Sequence, residues 1–124
     1  MEAKRSKRQI KNAIWIFAKK GEEANIVLAL QTGVIISKNI GKATQAQADH
    51  KAMQEAFDIA NGQKGNVIIY TESALVEGQL KKKWPIRSNS KLANKTKKRY
   101  KQIRNKVEVI KIKKNENVAR TKNL

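Results

Sequence analysis

The chain is 124 residues long, carries a net charge of +18 and contains no cysteine. That length fits one domain, and the 40% of hydrophobic residues can supply its core, so the composition argues against a disordered chain. The lack of cysteine excludes disulfides and thiolate metal sites. There is no signal-type apolar region and no stretch close to the roughly 20 apolar residues of a membrane helix. We therefore expect no secretion and no membrane partner, and a cytoplasmic location, or a nuclear one in a eukaryote.

The positive charge is concentrated toward the C-terminus. Residues 1–8 carry four basic side chains and one acidic, residues 9–78 carry seven of each, and residues 79–124 carry seventeen basic and two acidic. A segment this basic favours a polyanionic partner, because phosphates that lysine or arginine neutralises release their counterions. An anionic membrane is a weaker candidate, because no strongly apolar helix face opposes the lysines. The charge predicts nucleic-acid binding, and the alternative is a surface that serves only solubility.

Three short apolar runs follow a basic arm at residues 1–9. Each run is rich in β-branched residues and short enough for a strand, and turn residues separate the runs, so together they predict an antiparallel meander. The predicted strands are residues 10–18, 25–30 and 34–40, and the first turn is residues 19–23.

A helix is predicted after the meander, where Thr44 and Gln47 have the spacing of a capping box and an alanine-rich sequence follows. Asn61 and Gly62 predict its end. Residues 66–72 are a nearly continuous apolar run, which is typical of a central strand covered on both faces. The helix between the third and fourth strands therefore predicts a crossover connection.

The basic part of the chain is predicted to hold two helices and a last strand. Pro85 interrupts the helical pattern between the two helices. In the second helix, apolar residues recur at helical spacing while lysines and arginines fill the other faces. The predicted helices are residues 73–80 and 90–104, the strand is residues 107–113, the folded domain is residues 10–114, and residues 115–124 are a polar tail.

This order of elements resembles the ribonuclease H fold. The sequence VIIYTESALVEGQL at 67–80 is similar to the family's central strand and the short helix after it. TQAQADHKAMQEAF at 44–57 resembles the family's first helix, and KVEVIKIKKNENVA at 106–119 resembles its last strand and the start of its terminal helix. The resemblance implies an α/β fold with a mixed five-stranded sheet, made of three antiparallel strands, crossover helices and two further strands, and a truncated C-terminal helix.

The family's chemistry uses four carboxylates that hold two divalent ions about 4 Å apart, and the hard magnesium ion explains the oxygen ligands. The resemblance implies metal-ligand roles for Asp49 and Glu72. At the first strand, where the family has an aspartate, this chain has Ala18 followed by lysines. At the terminal helix, Ala119 and Arg120 stand where an acid is expected. With two of four ligands absent, we expect two-metal catalysis to be severely weakened or lost.

Each candidate acid also has a structural interpretation. Asp49 lies in the first turns of a helix, where the macrodipole favours a carboxylate without any ligand role. Glu72 ends a strand and can pair with a nearby lysine. Glu22 and Glu23 are interpreted as solvated turn residues, and His50, the only histidine, as an ordinary surface residue.

The basic segment after the central strand supplies candidate nucleic-acid ligands, and the family also uses a basic, tryptophan-containing segment there to grip its hybrid substrate. Lysines along a helix can follow a phosphate backbone, and Trp84 and Tyr100 can stack on a base or sugar. The alternative is core packing for the two rings and a solvated face for the charges. The predicted nucleic-acid-binding residues are Lys81, Lys82, Lys83, Trp84, Arg87, Lys91, Lys95, Lys98, Arg99 and Arg104, and the wider basic set adds Lys97 and Lys101.

Three functions are consistent with these features. We favour a catalytically degenerate ribonuclease H-like domain, without a cofactor, that binds RNA, an RNA/DNA hybrid or DNA, in an assembly that contains RNA and other proteins. The second is an active ribonuclease H that cleaves RNA in RNA/DNA hybrids with magnesium or manganese held by Asp49, Glu72 and a third acid. The third is a protein-interaction domain derived from a retroelement or a recombination nuclease.

Overall fold

A computed structural model describes residues 12–122. The basic arm predicted at residues 1–9 lies outside the described residues. The strands are β1 (Asn12–Lys19), β2 (Gly21–Leu30), β3 (Ile35–Ala43), β4 (Val67–Thr71) and β5 (Val107–Lys111). The helices are α1 (Gln45–Asn61), α2 (Ala74–Lys81), α3 (Ser90–Ile103) and α4 (Val118–Lys122), and a 3-10 turn spans Lys114–Glu116.

The five strands form one mixed sheet in the order β3-β2-β1-β4-β5. β1 and β2, and β2 and β3, pair antiparallel, whereas β4 pairs parallel with β1 and with β5. The prediction of a meander followed by two crossover strands is confirmed. Because β1, β4 and β5 run in the same direction, their carboxyl ends lie together at one end of the sheet.

α1 covers one face of the sheet. Its start is fixed by the predicted capping box, in which the Gln47 amide donates to Thr44 Oγ1 over 3.2 Å and the Thr44 amide donates to Gln47 Oε1 over 2.9 Å. Ala52, Ala56 and Ala60 are fully buried. Small side chains at these positions let the helix lie close to the strands, and the main core lies between them.

α2 and α3 lie on the same side as α1, since α3 contacts α1 and α2 contacts both α3 and β5. On the opposite face of the sheet, the rings of Trp15 and Tyr70 stack across β1 and β4 with centroids 5.3 Å apart. Val118 and Ala119 of α4 pack there in a smaller cluster with Val27. Among residues 12–122, no helix is both long enough and apolar enough to cross a membrane.

Several segments differ from the prediction. The predicted turn at 19–23 is wrong: Glu22 and Glu23 belong to β2, because a β-bulge near Ala24 lets the hairpin continue to Ala43. The last strand ends at Lys111 rather than at residue 113.

The predicted polar tail is not free of the domain. Asn117 and Ala119 are buried, and Asn117 Nδ2 donates to the carbonyl oxygen of Ile16 over 2.8 Å. This contact joins residues 101 positions apart in the sequence, so no local pattern could indicate it.

Candidate functional site

A cleft of about 510 Å³ opens at the carboxyl ends of β1 and β4, beside the start of α1. We call it the strand-end cleft. It brings the two predicted carboxylates, Asp49 and Glu72, into one site together with the lysine and arginine side chains around them. The cleft is lined by Ile16, Phe17, Ala18, Lys19, Gln45, Asp49, Ala52, Thr71, Glu72, Ser73, Lys114 and Arg120.

Asp49 is held in the strand-end cleft by its neighbour one turn earlier. Gln45 Nε2 donates to Asp49 Oδ1 over 3.0 Å and to the carbonyl oxygen of Ala18 over 2.8 Å, which ties α1 to the end of β1. The pKa of Asp49 is raised to about 6, chiefly by burial and also by the negative charge of Glu72, although hydrogen bonds from Gln45 and Ser73 act to lower it. Asp49 is therefore protonated in a large fraction of the molecules near pH 6.

Glu72 is bound by cationic and amide groups of the last described segment. Arg120 forms a fork with it, in which Nε donates to Oε2 over 2.9 Å and Nη2 donates to Oε1 over 2.7 Å. Asn117 Nδ2 donates to Oε2 over 2.8 Å. Burial alone would raise the pKa of Glu72, but hydrogen bonds from Arg120 and Asn117, with the positive charges of Arg120 and Lys114, lower it overall. Glu72 is thus an ionised carboxylate with its oxygens already engaged.

The donor set of this cleft does not fit a pair of divalent ions. Two carboxylates line it, beside the cationic side chains of Lys19, Lys114 and Arg120. Within residues 12–122, no group of three or more His, Cys, Asp or Glu side chains could hold a metal ion. Two hard cations need oxygen ligands on both sides, and ammonium and guanidinium groups repel them. A role for Asp49 and Glu72 as ligands of a single ion stays a prediction.

Arg120 and Asn117 belong to this site but were not among the predicted site residues. Arg120 occupies a position where the resemblance implies an acid, and its contact with Glu72 was not predicted. The guanidinium carbon of Arg120 also lies 4.5 Å from the centroid of the Phe17 ring, which orients the fork. The pairing depends on α4 packing against the sheet, and a five-residue helix leaves almost no periodic signal.

The prediction that His50 is an ordinary surface residue is wrong. Its side chain is 2% exposed, with Nδ1 at 2.9 Å from Thr96 Oγ1 and Nε2 at 3.1 Å from Gln79 Oε1. Gln54 Nε2 also donates to Thr96 Oγ1 over 2.9 Å. A neutral ring with its proton on Nε2 satisfies all of these groups. Burial lowers the pKa of His50 against the hydrogen bond with Gln79, which agrees with a neutral ring. This network joins α1, α2 and α3 in the core.

Three of the predicted nucleic-acid-binding residues form internal ion pairs. Lys81 and Lys82 lie 3.8 and 3.6 Å from the carboxylate oxygens of Glu77. Arg99 Nη1 lies 2.9 Å from both carboxylate oxygens of Asp58. Most of these cations are exposed, so the pairs contribute little to stability, but they reduce the charge available to a ligand.

The other predicted residues divide into three groups. Lys91, Lys95 and Lys98 are exposed along α3. Trp84 and Arg87 line a cleft of about 270 Å³ beside α2, to which His50 also contributes. Lys83 and Arg104 line another cleft, between α2 and α3. The structure thus spreads the predicted set over more than one surface.

The two aromatic candidates have different environments. The Trp84 ring is 40% exposed and lies against Gly78, where an added Cβ would come within 2.2 Å of two of its ring carbons. Lys82 Nζ lies 5.7 Å from the Trp84 ring centroid. Tyr100 stacks on Phe57 with centroids 5.7 Å apart, so one face of its ring belongs to the core. Trp84 is the ring that is more accessible for stacking.

Solved ribonuclease H structures share this fold. A structure of LC11 ribonuclease H1 in complex with an RNA/DNA hybrid is 15% identical and has a TM-score of 0.73, with 87% of this chain and 89% of that chain covered. The ribonuclease H1 of the halophilic archaeon Halobacterium salinarum is 20% identical, with a TM-score of 0.66 and coverage of 88% and 90%.

The N-terminal ribonuclease H domain of a Mycobacterium tuberculosis protein is 17% identical, with a TM-score of 0.71 and coverage of 91% and 95%. No protein-family model and no curated protein matches the sequence. The sheet order, the helix placement and these structural matches confirm the predicted fold class. The chain has the ribonuclease H fold.

Proposed function

We propose that this chain is a catalytically degenerate ribonuclease H-like domain that binds RNA or an RNA/DNA hybrid through its basic surface. The observation that carries the proposal is the fork between Arg120 and Glu72, whose oxygens lie 2.7 and 2.9 Å from the guanidinium nitrogens. A carboxylate held in this way must lose a charge-assisted bidentate contact before it can bind a metal ion. The cost falls on Glu72, one of the two acids that the resemblance assigns to the metal site.

The charge distribution supports nucleic acid as the partner. Residues 79–124 carry seventeen basic and two acidic side chains, and most of those on α3 point away from the core. One of the similar structures was solved in complex with an RNA/DNA hybrid. Phosphate contacts supply affinity without base recognition, so a basic domain that has lost its cutting chemistry can still hold a nucleic acid. Such a module fits an assembly that contains RNA and other proteins.

Nuclease activity is tested directly on an RNA/DNA hybrid with magnesium or manganese. We expect no cleavage by the unmodified chain above that of the Glu72→Ala variant, because the fork occupies the carboxylate in the first and the substitution removes it in the second. Metal-dependent turnover that disappears in Glu72→Ala would overturn the degenerate assignment.

An active nuclease is the second candidate, and one observation favours it. Asp49 and Glu72 face the same cleft closely enough for the charge of Glu72 to raise the pKa of Asp49. Two carboxylates can hold one hard cation together with phosphate oxygens and water. The cleavage assay separates this candidate from the first.

Binding is tested by measuring the affinity for an RNA/DNA hybrid at several salt concentrations. We expect the logarithm of the association constant to fall linearly and steeply with the logarithm of the salt concentration, as counterion release requires. Weak binding that does not depend on salt would favour the protein-interaction alternative, in which the charge serves solubility.

A further inference from the structure

The cleft between α2 and α3 has a volume of about 480 Å³ and an unusual lining. We call it the helix cleft. Four of its seven residues are cationic and none is acidic. It is lined by Gln79, Leu80, Lys83, Lys97, Tyr100, Lys101 and Arg104.

The four cations of the helix cleft have no ion-pair partner within residues 12–122. Two carboxylates of the neighbouring helices are already paired with other cations: Glu77 of α2 with Lys81 and Lys82, and Asp58 of α1 with Arg99. Like charges that converge without a counter-charge repel one another, which destabilises the folded state. A polyanion in the cleft would remove that repulsion.

Three of these cations are spaced along α3 and the residue that caps its C-terminus, Arg104. Lys97, Lys101 and Arg104 are spaced by four and three residues, so they share one stripe of the helix. At about 1.5 Å of rise per residue, the row is roughly 10.5 Å long. Successive phosphates of one strand of double-stranded DNA advance about 3.4 Å along its axis, so a row of this length spans about three phosphate-to-phosphate steps.

The fourth cation, Lys83, reaches the helix cleft from the other wall because of a local backbone feature. Lys83 has a φ of 58°, in the left-handed region that residues with a Cβ rarely adopt. The turn is held by the Lys82 and Trp84 amides, which both donate to the carbonyl oxygen of Gly78 over 2.8 and 3.2 Å. Strain of this kind persists only where the surrounding structure enforces it.

The helix cleft is separate from the strand-end cleft. Ser73, just before α2, lines the strand-end cleft, whereas Leu80 near the end of α2 lines the helix cleft. The eight-residue helix between them is roughly 12 Å long. Tyr100 stacks one ring face on Phe57 and so forms part of the wall of the helix cleft. A base cannot stack on that face of the ring.

We propose that the helix cleft binds the sugar-phosphate backbone of a nucleic acid independently of its base sequence, at a site distinct from the strand-end cleft. The inference rests on the proposed nucleic-acid-binding function and assigns its main contact to one surface. Lys97, Lys101 and Arg104 contact phosphates of one strand, and Lys83 contacts the same backbone from the α2 side.

The test replaces the α3 row by neutral residues in the triple variant Lys97→Gln, Lys101→Gln, Arg104→Gln. A matched triple variant, Lys42→Gln, Lys64→Gln, Lys111→Gln, removes the same charge at exposed positions outside both clefts. Affinities are measured across salt for duplex RNA, an RNA/DNA hybrid and single-stranded RNA of two unrelated sequences. Circular dichroism and thermal unfolding verify that both variants fold.

We expect the α3 triple variant to lose affinity on the order of tenfold or more at moderate salt, and its salt slope to be smaller by about 2–3, because each lost phosphate contact removes about one unit or slightly less. The matched variant should change both quantities much less, and the loss should not depend on base sequence. The affinities for the three nucleic acids show which kind of backbone the helix cleft binds most tightly.

Equal losses in the two triple variants would overturn the helix-cleft assignment while leaving nucleic-acid binding intact. No binding by the unmodified chain would overturn the proposed function itself, so the two failures are distinguishable. A second measurement needs no variant: bound nucleic acid should protect Lys97 and Lys101 from acylation more than Lys42 and Lys64, and uniform protection would contradict the assignment.

Discussion

The strand-end cleft and the helix cleft lie at opposite ends of α2 and differ in whether their charged side chains are paired. In the first, Glu72 is neutralised by Arg120, with Lys114 nearby. In the second, four cations converge with no carboxylate in the lining. Charges paired within the protein are engaged by their partners, whereas charges left without partners are free for a ligand. The two carboxylates that the resemblance assigns to a metal site and the cations without partners therefore lie in different parts of this molecule.

The largest effect that would disturb this arrangement is expected at His50, which fixes Gln79 in the wall of the helix cleft. His50→Leu leaves the buried Gln79 amide oxygen without its hydrogen-bond donor, which should lower the free energy of unfolding by about 1–3 kcal/mol. The different shape of the leucine side chain should lower it further. Chemical denaturation measures the change. A difference under about 0.5 kcal/mol would mean that the network does not support the cleft.

His50 also predicts a pH dependence. Its folded-state pKa lies below the ordinary 6.5, so as the pH falls below about 6.5 the unfolded chain takes up a proton that the folded chain resists. Stability should therefore fall with pH in that window, and the His50→Gln variant, which does not titrate, should lose less stability there than the unmodified chain. The quantity to compare is the difference in stability between the two chains at each pH, because the contributions of Asp49 and the other titrating groups cancel in it.

The next largest effect on stability is expected at Gly78, and it tests how the turn at Lys83 is held. Alanine in a helix normally stabilises by about 1 kcal/mol relative to glycine, but here the added Cβ would overlap the Trp84 ring. We expect Gly78→Ala to destabilise by about 1–2 kcal/mol, because overpacking outweighs the helix preference.

The double variant Gly78→Ala, Trp84→Ala is the matched control for that prediction. Without the indole ring, the same Gly78→Ala change should become neutral or stabilising relative to Trp84→Ala alone. A cycle with no coupling between the two positions would show that the ring does not rest on Gly78, and would weaken the account of how Lys83 is positioned.

The smallest effect tests the neutralised charge of the strand-end cleft. Arg120→Ala removes a fork to a carboxylate that is 18% exposed, and we expect a loss of about 1–2 kcal/mol at pH 7. Arg99→Ala removes a contact in which one nitrogen, Nη1, donates to both oxygens of Asp58, whose side chain is 60% exposed, and should cost less than about 1 kcal/mol.

The two arginine variants also differ in their pH dependence. The folded-state pKa of Glu72 is lowered, so the stability that Arg120 confers is present above pH 4.5 and is lost as the pH falls through the folded-state pKa. Thermal unfolding between pH 3 and pH 7 measures this. Equal effects of Arg120→Ala and Arg99→Ala at every pH would remove the distinction between the two ion pairs.

The sequence determined the parts of this protein that depend on neighbours along the chain. The capping box of Thr44 and Gln47, the alanine face of α1 and the apolar run of β4 are local patterns, so the element order and the fold class followed from them, apart from the bulge in β2. The location of the basic charge was likewise visible, because it is a matter of composition.

Only the tertiary structure decided which of these residues meet. Arg120 reaches Glu72 across 48 positions, His50 reaches Thr96 across 46, and Lys83 faces the lysines of α3 only because α2 and α3 pack side by side. Such contacts depend on the strand order and on helix packing, which bring distant segments together without any periodic signal in the sequence. Short-range patterns thus fix the elements, and long-range packing decides which charges are neutralised and which stay available to a partner.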